Sequence, residues 1–327
     1  MCCARFASTR RAGRALPAAV LLLGLLAGCV ADQRRNQVQF ETEPWKFSNA
    51  DGTKITTEHY EIFTTLKDKV LIEALPGFVE GSFQQYEKLV PPVREPEERM
   101  KVYLFVSRGQ WIAFTKRFTG ARARVFLQIR NGGYSEQGVS VIQYVAHQIT
   151  FPLFAHEGWH QYLYSHVNAT VPAWLNEGLA VLCEGQRWST YGLKEFDAWY
   201  NPARRNDLAD ALISNRLYPL RKLLQTHAGE VIEGSSRSVA TYYAQLWALM
   251  LFLRDGEKGK YAADFQHLLA ALGRPELDQQ VRAGHIWSER DTFSPGEALF
   301  RAYISEDLDT VEREYDAFMR ARFLGAR

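Results

Sequence analysis

The chain has 327 residues, of which 46% are hydrophobic and 23% charged, a globular composition with enough apolar residues for a sizeable core. The 39 basic and 37 acidic residues nearly balance, at a formal net charge of +2, and an N-terminal segment without acids holds four of the basic ones: Arg5, Arg10, Arg11 and Arg14. Nothing in this charge balance points to nucleic acid, so no nucleic acid is expected as a partner.

The N-terminal segment has the parts of a secretory signal: basic residues, an apolar run from Ala15 to Leu26, and the small-residue pattern Leu26-Ala27-Gly28-Cys29. The pattern resembles the lipobox of bacterial lipoproteins. This resemblance implies a signal peptide over residues 1–28, lipidation of Cys29 and membrane attachment through that lipid. Val30 replaces the aspartate that favours inner-membrane retention, so the expected location is the outer membrane of a bacterial cell envelope, facing the periplasm. The alternative is a plain secretory signal or an uncleaved anchor, although the apolar run is short for a bilayer span.

Cysteine usage leaves one free thiol for the folded domain. Cys2 and Cys3 fall in the signal segment and Cys29 would carry the lipid, so Cys183 remains. A disulfide framework is therefore excluded in the monomer. Cys183 follows the apolar run 179–182 and is predicted to be a buried small hydrophobic residue.

Residues 29–44 are largely polar and are predicted to tether a single domain over residues 45–327. A hairpin is predicted from residues 45–47 and 55–65, with Asp51-Gly52 supplying the turn. Apolar residues near helical spacing predict a helix over 69–89, broken or kinked at Pro76-Gly77.

Strands and helices alternate in the next part of the chain. The predicted strands are 100–106, 123–129 and 139–145, and a helix is predicted over 109–118. The chain after Pro152 is predicted to be mainly helical, with helices over residues 152–166, 172–184, 193–200, 206–214, 219–226, 238–254, 258–271, 295–303 and 308–322. The expected fold class is α+β, with an N-terminal α/β lobe (45–167) containing a twisted sheet, a C-terminal all-helical lobe (168–327), and a cleft between them.

The run His156-Glu157-Gly158-Trp159-His160 carries the strongest chemical signal. On a helix, residues four apart lie on one face, so both imidazoles can converge while Glu157 reaches the same space. This spacing is the general H-E-x-x-H zinc signature of metalloproteases. Pro152 is expected to begin the helix, and no further proline occurs before His166.

A carboxylate for the same site occurs seventeen residues after His160, at Glu177. Pro172 is expected to start a second helix that returns Glu177 toward the first helix in an antiparallel pair. Two histidines and a glutamate are the ligands of catalytic rather than structural zinc.

These motifs resemble those of the gluzincin metallopeptidases, and most closely the peptidase MA-like family of bacterial proteins. In that family the second motif reads W-x-x-E-G-x-A, and a later helix carries Y-A-Q; this chain has Trp174 to Ala180 (W-L-N-E-G-L-A) and Tyr243-Ala244-Gln245. The resemblance covers about residues 103–253. It departs from the best-studied gluzincins in the interval between the second histidine and the glutamate, which is a few residues shorter here.

The resemblance implies a zincin-like metallopeptidase domain that binds one Zn2+ through His156, His160 and Glu177 and uses Glu157 as the general base. Tyr243 is the candidate donor to the oxyanion, and Tyr242 is the second choice; alternatively, both tyrosines only pack within a helix. A peptide or protein substrate is expected along an edge strand within residues 134–144.

Other polar residues near the motifs have weaker assignments. Asn176 and Glu184 are candidates for orienting the metal ligands, although Glu184 also fits an ordinary polar helix position. His147 and His166 are not expected to be ligands, and His166 is placed near a helix C-terminus, where a cation is favoured. His227 is expected at a helix end.

Two functions follow from this sequence. The first is a lipid-anchored zinc metallopeptidase of the bacterial cell envelope, in which Glu157 activates water for attack on a peptide bond. The alternative is a metal-binding, non-hydrolytic envelope lipoprotein that acts as a scaffold or binding module. The intact set His156, Glu157, His160 and Glu177 favours the enzyme.

Overall fold

The structure is a computed structural model of the chain. It describes residues 38–129, 132–189, 192–226, 229–230, 235–275, 277 and 294–324. The signal peptide, Cys29 and His227 lie outside the described residues. All the elements below belong to one unit, Gln39–Arg327. Within the described part of the chain, no helix is both long and apolar enough to cross a membrane.

A six-stranded mixed sheet forms the first part of this unit. Its strands are β1 (Glu41–Phe47), β2 (Ala50–Thr56), β3 (Tyr60–Thr64), β4 (Met100–Phe105), β5 (Gly133–Glu136) and β6 (Val139–Gln143). The strand order is β1-β2-β3-β4-β6-β5, in which β3, β4 and β6 run parallel and the remaining pairs are antiparallel. The fold is therefore mixed α+β, with β5 at one edge of the sheet. Strand β1 begins inside the predicted tether, at Glu41.

Helices cover both faces of the sheet because β4 alternates its apolar side chains. Val102 and Leu104 join the large core beneath α1 (Lys69–Leu89), whereas Phe105 packs with Trp111 of α2 (Arg108–Thr119) in a smaller core. Side chains of successive strand residues point to opposite faces, so one strand supplies both layers.

The chain then becomes mainly helical. The helices are α3 (Ala123–Phe126), α4 (His147–Tyr162), α5 (Ala173–Cys183), α6 (Pro202–Ile213), α7 (Leu220–Gln225), α8 (Ser236–Asp255), α9 (Ala262–Ala271), α10 (Pro295–Tyr303) and α11 (Leu308–Phe323). Residues 244–253 of α8 are all buried, as expected for a helix that is apolar on every side. Helix α8 packs against α5 and α6 and forms the centre of this part of the core. From α5 onward, the helices agree with the predicted ones to within about one turn, apart from residues 193–200.

The first hairpin has a different turn from the predicted one. The chain reverses at Ser48-Asn49, where Ser48 has a φ of 53°, and Gly52 lies inside β2 opposite Trp45. A Cβ on Gly52 would come within 2.3 Å of the Thr64 carbonyl oxygen, so this glycine permits a close strand approach rather than a turn. The predicted strand 55–65 is in fact two strands, β2 and β3.

Two short segments have the opposite secondary structure to the prediction. Residues 123–126 form α3 instead of a strand, and Phe126 stacks on Tyr134 at 4.2 Å between ring centroids. Residues 192–196 form β8 (Gly192–Phe196), which pairs with β7 (Gln186–Ser189), instead of starting a helix. The second half is therefore not all-helical. Packing overrides local propensity here: Leu193 and Phe196 pack on the large core.

Neither proline lies at a helix boundary. Helix α1 continues through Pro76, and α4 begins at His147, so Pro152 lies inside it. An internal proline removes one backbone hydrogen bond, but both helices are held by buried residues on either side of it, including Leu71 and Phe78 in α1.

Candidate metal centre

Helix α4 places the two histidines on the side of the helix next to its core face. Ala155, Trp159 and Tyr162 are fully buried and fix the rotation of the helix. His156 and His160 lie one position further round, where they line a cleft. The helix thus holds both imidazoles on one face.

Helix α5 brings Glu177 to the same point. The chain leaves α4 through a π-helical turn (Leu163–Val167), and Asn168 adopts the left-handed conformation with a φ of 57°. Trp174, at the start of α5, donates its indole N–H to the Gly296 carbonyl oxygen at 3.0 Å and anchors the helix in the core. The predicted pairing of α4 with α5 is confirmed.

The three candidate ligands converge. Glu177 Oε2 lies 3.3 Å from His156 Nε2 and 3.7 Å from His160 Nε2. One ligand atom from each of the three residues lies within 4.8 Å of the others. Ligands about 2.0 to 2.2 Å from a tetrahedral zinc are separated by roughly 3.3 to 3.6 Å, so these donors fit a zinc ion.

The other nitrogen of each imidazole has a hydrogen-bond acceptor. His156 Nδ1 lies 2.9 Å from Glu184 Oε1, and His160 Nδ1 lies 3.0 Å from Asn176 Oδ1. An Nδ1–H donated to these oxygens leaves the Nε2 lone pair of each ring directed at the shared point. Asn176 and Glu184 thus occupy the orienting positions proposed for them.

The electrostatics of the centre favour a positive charge between the ligands. Burial opposes protonation of His156, but hydrogen bonds to Glu177 and Glu184 raise its pKa to about 10. The pKa of His160 is also raised, because Glu177 outweighs the effect of burial. Burial would raise the pKa of Glu177, yet the two histidines hold it well below its usual range. Carboxylates that stabilise a proton here would also stabilise a metal cation.

Glu157 lies beside the ligands and is buried, with only 6% of its surface exposed. Burial raises the pKa of its carboxyl group above the usual value, which the nearby histidines partly oppose. Its backbone carbonyl accepts a hydrogen bond from the Ser135 hydroxyl at 2.8 Å, which fixes α4 against the edge strand β5. A buried carboxylate with a raised pKa is suited to accept a proton.

The centre opens into a cleft of about 1350 Å³. It is lined by the β5 region, residues 132–138, and by Arg204, Ser235 and Tyr243 from later in the chain. The predicted substrate stretch 134–144 is too long, because β6 lies inside the sheet between β4 and β5. The edge available to a ligand is β5.

The two candidate tyrosines point to different places. Tyr243 lines the cleft, and its ring centroid lies 5.8 Å from that of His156. Tyr242 is fully buried and donates its hydroxyl to the Thr226 carbonyl oxygen at 3.3 Å. Burial and Glu177 raise the pKa of Tyr243 well above its usual value, so its hydroxyl stays protonated. Only Tyr243 is placed to act in the cleft.

His147, His166 and the free thiol lie outside the candidate metal centre. His147, the first residue of α4, has its Nε2 3.2 Å from the Asp68 carboxylate. His166 is buried and stacks on Tyr162, and burial lowers its pKa to about 4. The expectation of a favoured cation at His166 is therefore wrong. Cys183 is buried as predicted, and burial raises the pKa of its thiol.

A second group of possible ligands, Glu58, His59 and Glu80, has an ordinary explanation. His59 Nδ1 lies 2.6 Å from Glu80 Oε2, the separation of a hydrogen bond rather than of two zinc ligands. Glu80 also accepts the His59 backbone N–H at 2.9 Å. His59 and Glu80 form a hydrogen-bonded pair that holds the residue before β3 to α1.

Arg204 lies at the site but was not predicted from the sequence. It follows Asn201, the N-cap of α6, and Pro202 at the first helical position. This capping pair marks the true start of the helix, whereas the prediction began at residue 206. Even with the correct start, nothing in the sequence indicates that Arg204 reaches the metal centre.

The chain matches no protein-family model and no curated protein. The functional assignment therefore depends on the residues and geometry described above.

Proposed function

We propose that the protein is a zinc-dependent peptidase of the bacterial cell envelope, with the zincin-like arrangement of an α/β lobe (45–167) and a mainly helical lobe (168–327) beside a cleft. The observation that supports this most is the convergence of His156, His160 and Glu177, at 3.3 and 3.7 Å between donor atoms, with Glu157 buried beside them. A purely structural site would leave no reason for an additional buried carboxylate at an open cleft.

His156, His160 and Glu177 would hold the metal. Zinc in such a site acts as a Lewis acid and lowers the pKa of water to about 7. Glu157 takes up the proton of the attacking water and transfers it to the nitrogen of the leaving amine. Tyr243, which lines the cleft and whose hydroxyl stays protonated, donates a hydrogen bond to the developing oxyanion.

The edge strand β5 supports a peptide as the substrate. Strand β5 pairs with β6 on one side, and no other described strand pairs with its outer side. An extended peptide can add to such an edge through backbone hydrogen bonds. Ser135 of β5 bonds to the Glu157 carbonyl oxygen, so a peptide on this edge would pass close to the general base.

The envelope location is part of the proposal and depends on Cys29, which lies outside the described residues. The wild type should incorporate a labelled fatty acid, and replacing Cys29 by alanine should abolish this incorporation. If the wild type took up no label, or the variant took up as much as the wild type, the proposed lipid anchor would be wrong.

The mechanism is tested with Glu157→Gln in the full chain, purified in detergent. We expect about one zinc per chain in both wild type and variant, measured by elemental analysis, and loss of peptide hydrolysis in the variant by about two orders of magnitude or more. Glu73→Gln is the matched control, because Glu73 is an exposed residue of α1. It should retain metal and activity.

Three outcomes discriminate between the functions. Unchanged hydrolysis in Glu157→Gln would reject Glu157 as the base. Zinc binding without hydrolysis of any peptide in a mixed library by the wild type would favour the non-hydrolytic binding module. A folded wild type that binds no zinc would reject the metal centre and both functions.

A further inference from the structure

Arg204 lines the cleft and connects the candidate metal centre to helix α6. Its backbone N–H bonds to the Asn201 side chain at 3.2 Å in the first turn of α6. Its guanidinium reaches Glu184, the last residue of the α5 region, with Nη2 at 2.8 Å from Oε1 and Nε at 3.0 Å from Oε2. Arg204 therefore binds the Glu184 carboxylate in a bidentate contact, which a lysine ammonium group could not reproduce.

Glu184 has its hydrogen-bonding capacity filled. Oε1 receives His156 Nδ1 at 2.9 Å as well as Arg204, and Oε2 receives Asn201 Nδ2 at 2.9 Å as well as Arg204. Arg204 supplies two of these four contacts and the only positively charged side chain in contact with this carboxylate, apart from His156, among the described residues. Without Arg204, a buried carboxylate would keep two contacts and could rotate away from His156.

The two histidines are supported differently. His160 Nδ1 faces the neutral amide oxygen of Asn176, which also receives the Trp159 indole N–H at 3.2 Å. His156 instead depends on a buried charge, and buried charges are stable only when they are paired. The orientation of His156 thus depends on α6, whereas that of His160 is determined within the α4–α5 pair.

We propose that Arg204 is a positioning residue for the metal. Its bidentate contact fixes the Glu184 carboxylate, and Glu184 in turn directs His156 Nε2 at the proposed metal position, toward which His160 and Glu177 also point. The guanidinium of Arg204 also lies over the ring of Tyr243, 5.1 Å from the ring centroid, and this contact further restricts the position of the guanidinium. This inference rests on the proposed zinc centre and assigns a role to a residue that touches no metal ligand directly.

The readout is the zinc dissociation constant of the full chain, measured by competition with a fluorescent chelator. Arg204→Met should weaken zinc binding by about 10- to 100-fold, the usual effect of losing a residue that supports a ligand. The zinc affinity of Arg204→Lys should lie between those of the wild type and Arg204→Met, because an ammonium group can neutralise Glu184 but cannot form a bidentate contact with both carboxylate oxygens. The matched control is Arg205→Met: Arg205 is the next residue of α6, packs over Phe323 at 5.0 Å and should leave zinc binding unchanged.

A double-mutant cycle shows whether Arg204 acts through Glu184. Glu184→Gln should weaken zinc binding alone, and adding Arg204→Met should change the affinity by less than about threefold, because the carboxylate to be positioned is already gone. If Arg204→Met fails to fold, Arg204→Lys replaces it in the cycle, because it keeps a positive charge beside Glu184 while losing the bidentate contact. Thermal melting in EDTA reports folding separately from metal binding.

The inference is wrong if Arg204→Met binds zinc as tightly as the wild type. It is also wrong if the Arg204→Met substitution weakens zinc binding as much in the Glu184→Gln variant as it does in the wild type. Either result would leave the proposed function intact, because the wild type would still bind zinc. A wild type that binds no zinc would instead reject the metal centre itself.

Discussion

Gly158, in the middle of the metal motif, is predicted to be intolerant of a side chain because of Tyr86. A Cβ at position 158 would lie 2.5 Å from the Tyr86 hydroxyl oxygen and 3.2 Å from Cζ of the same ring. Tyr86 is buried and donates its hydroxyl to the Ala155 carbonyl oxygen at 2.8 Å. Gly158→Ala must therefore displace either the tyrosine or helix α4.

The cost of Gly158→Ala can be worked out from three contributions. Overpacking a tight core site costs about 1 to 3 kcal/mol, and losing the Tyr86 hydrogen bond costs about 1 kcal/mol. Alanine regains about 1 kcal/mol over glycine inside a helix. The net loss of unfolding free energy should be about 1 to 3 kcal/mol. Gly77→Ala is the control: Gly77 lies in α1, nothing lies within 4 Å of its added Cβ, and it should stabilise by about 0.5 to 1 kcal/mol.

Urea denaturation in EDTA measures both variants without a contribution from metal binding. Tyr86→Phe removes the atom at 2.5 Å, so Gly158→Ala should cost at least about 1 kcal/mol less in that background than in the wild type. The reasoning would be refuted if Gly158→Ala were no worse than Gly77→Ala, or if its cost did not depend on the Tyr86 hydroxyl.

Two further predictions concern His166 and Tyr243. Burial lowers the pKa of His166 from 6.5 to about 4 in the folded state, so protonation of this histidine favours the unfolded state. The free energy of unfolding should therefore be unaffected by His166 above pH 6.5 and should fall by about 3 kcal/mol as the pH is lowered to 4. His166→Gln should remove that part of the pH dependence in denaturant titrations, and parallel profiles for the two proteins would contradict it. Tyr243→Phe should lower kcat about 10- to 1000-fold with zinc content unchanged, because an oxyanion donor is lost. Tyr242→Phe should keep normal kinetics, and equal effects of the two variants would argue against the assignment of Tyr243.

The convergence of the three candidate metal ligands was predictable because their geometry is local. Helical periodicity alone brings His156 and His160 together, and a short connection followed by Pro172 returns Glu177 to the same place. The position of Asn176 next to Glu177 also follows from the same helix. These inferences need only two helices and one turn.

The errors occurred where packing between distant parts of the chain decides the conformation. Gly52 was assigned to a turn, but its lack of a side chain serves contact with Thr64 of the next strand. Residues 192–196 form a strand because they pair with β7, not because of their own propensity. Arg204 reaches Glu184 only after this hairpin has reversed the chain, so no local pattern could indicate the contact.

The C-terminal helices support the helix that carries Glu177, even though they supply none of the proposed metal ligands. Helix α5, which carries Glu177, packs closely on α8: a Cβ at Gly178 would lie 2.8 Å from Cε of Met250. Trp174 ties the start of α5 to the Gly296 carbonyl oxygen, next to α10, at 3.0 Å. The separation between Glu177 and the imidazoles of α4 therefore depends on helices that begin about 60 and about 120 residues after Glu177. Because protein cores resist small displacements, a shift of α8 or α10 would be transmitted to Glu177, so we infer that these helices are part of the metal centre's supporting structure.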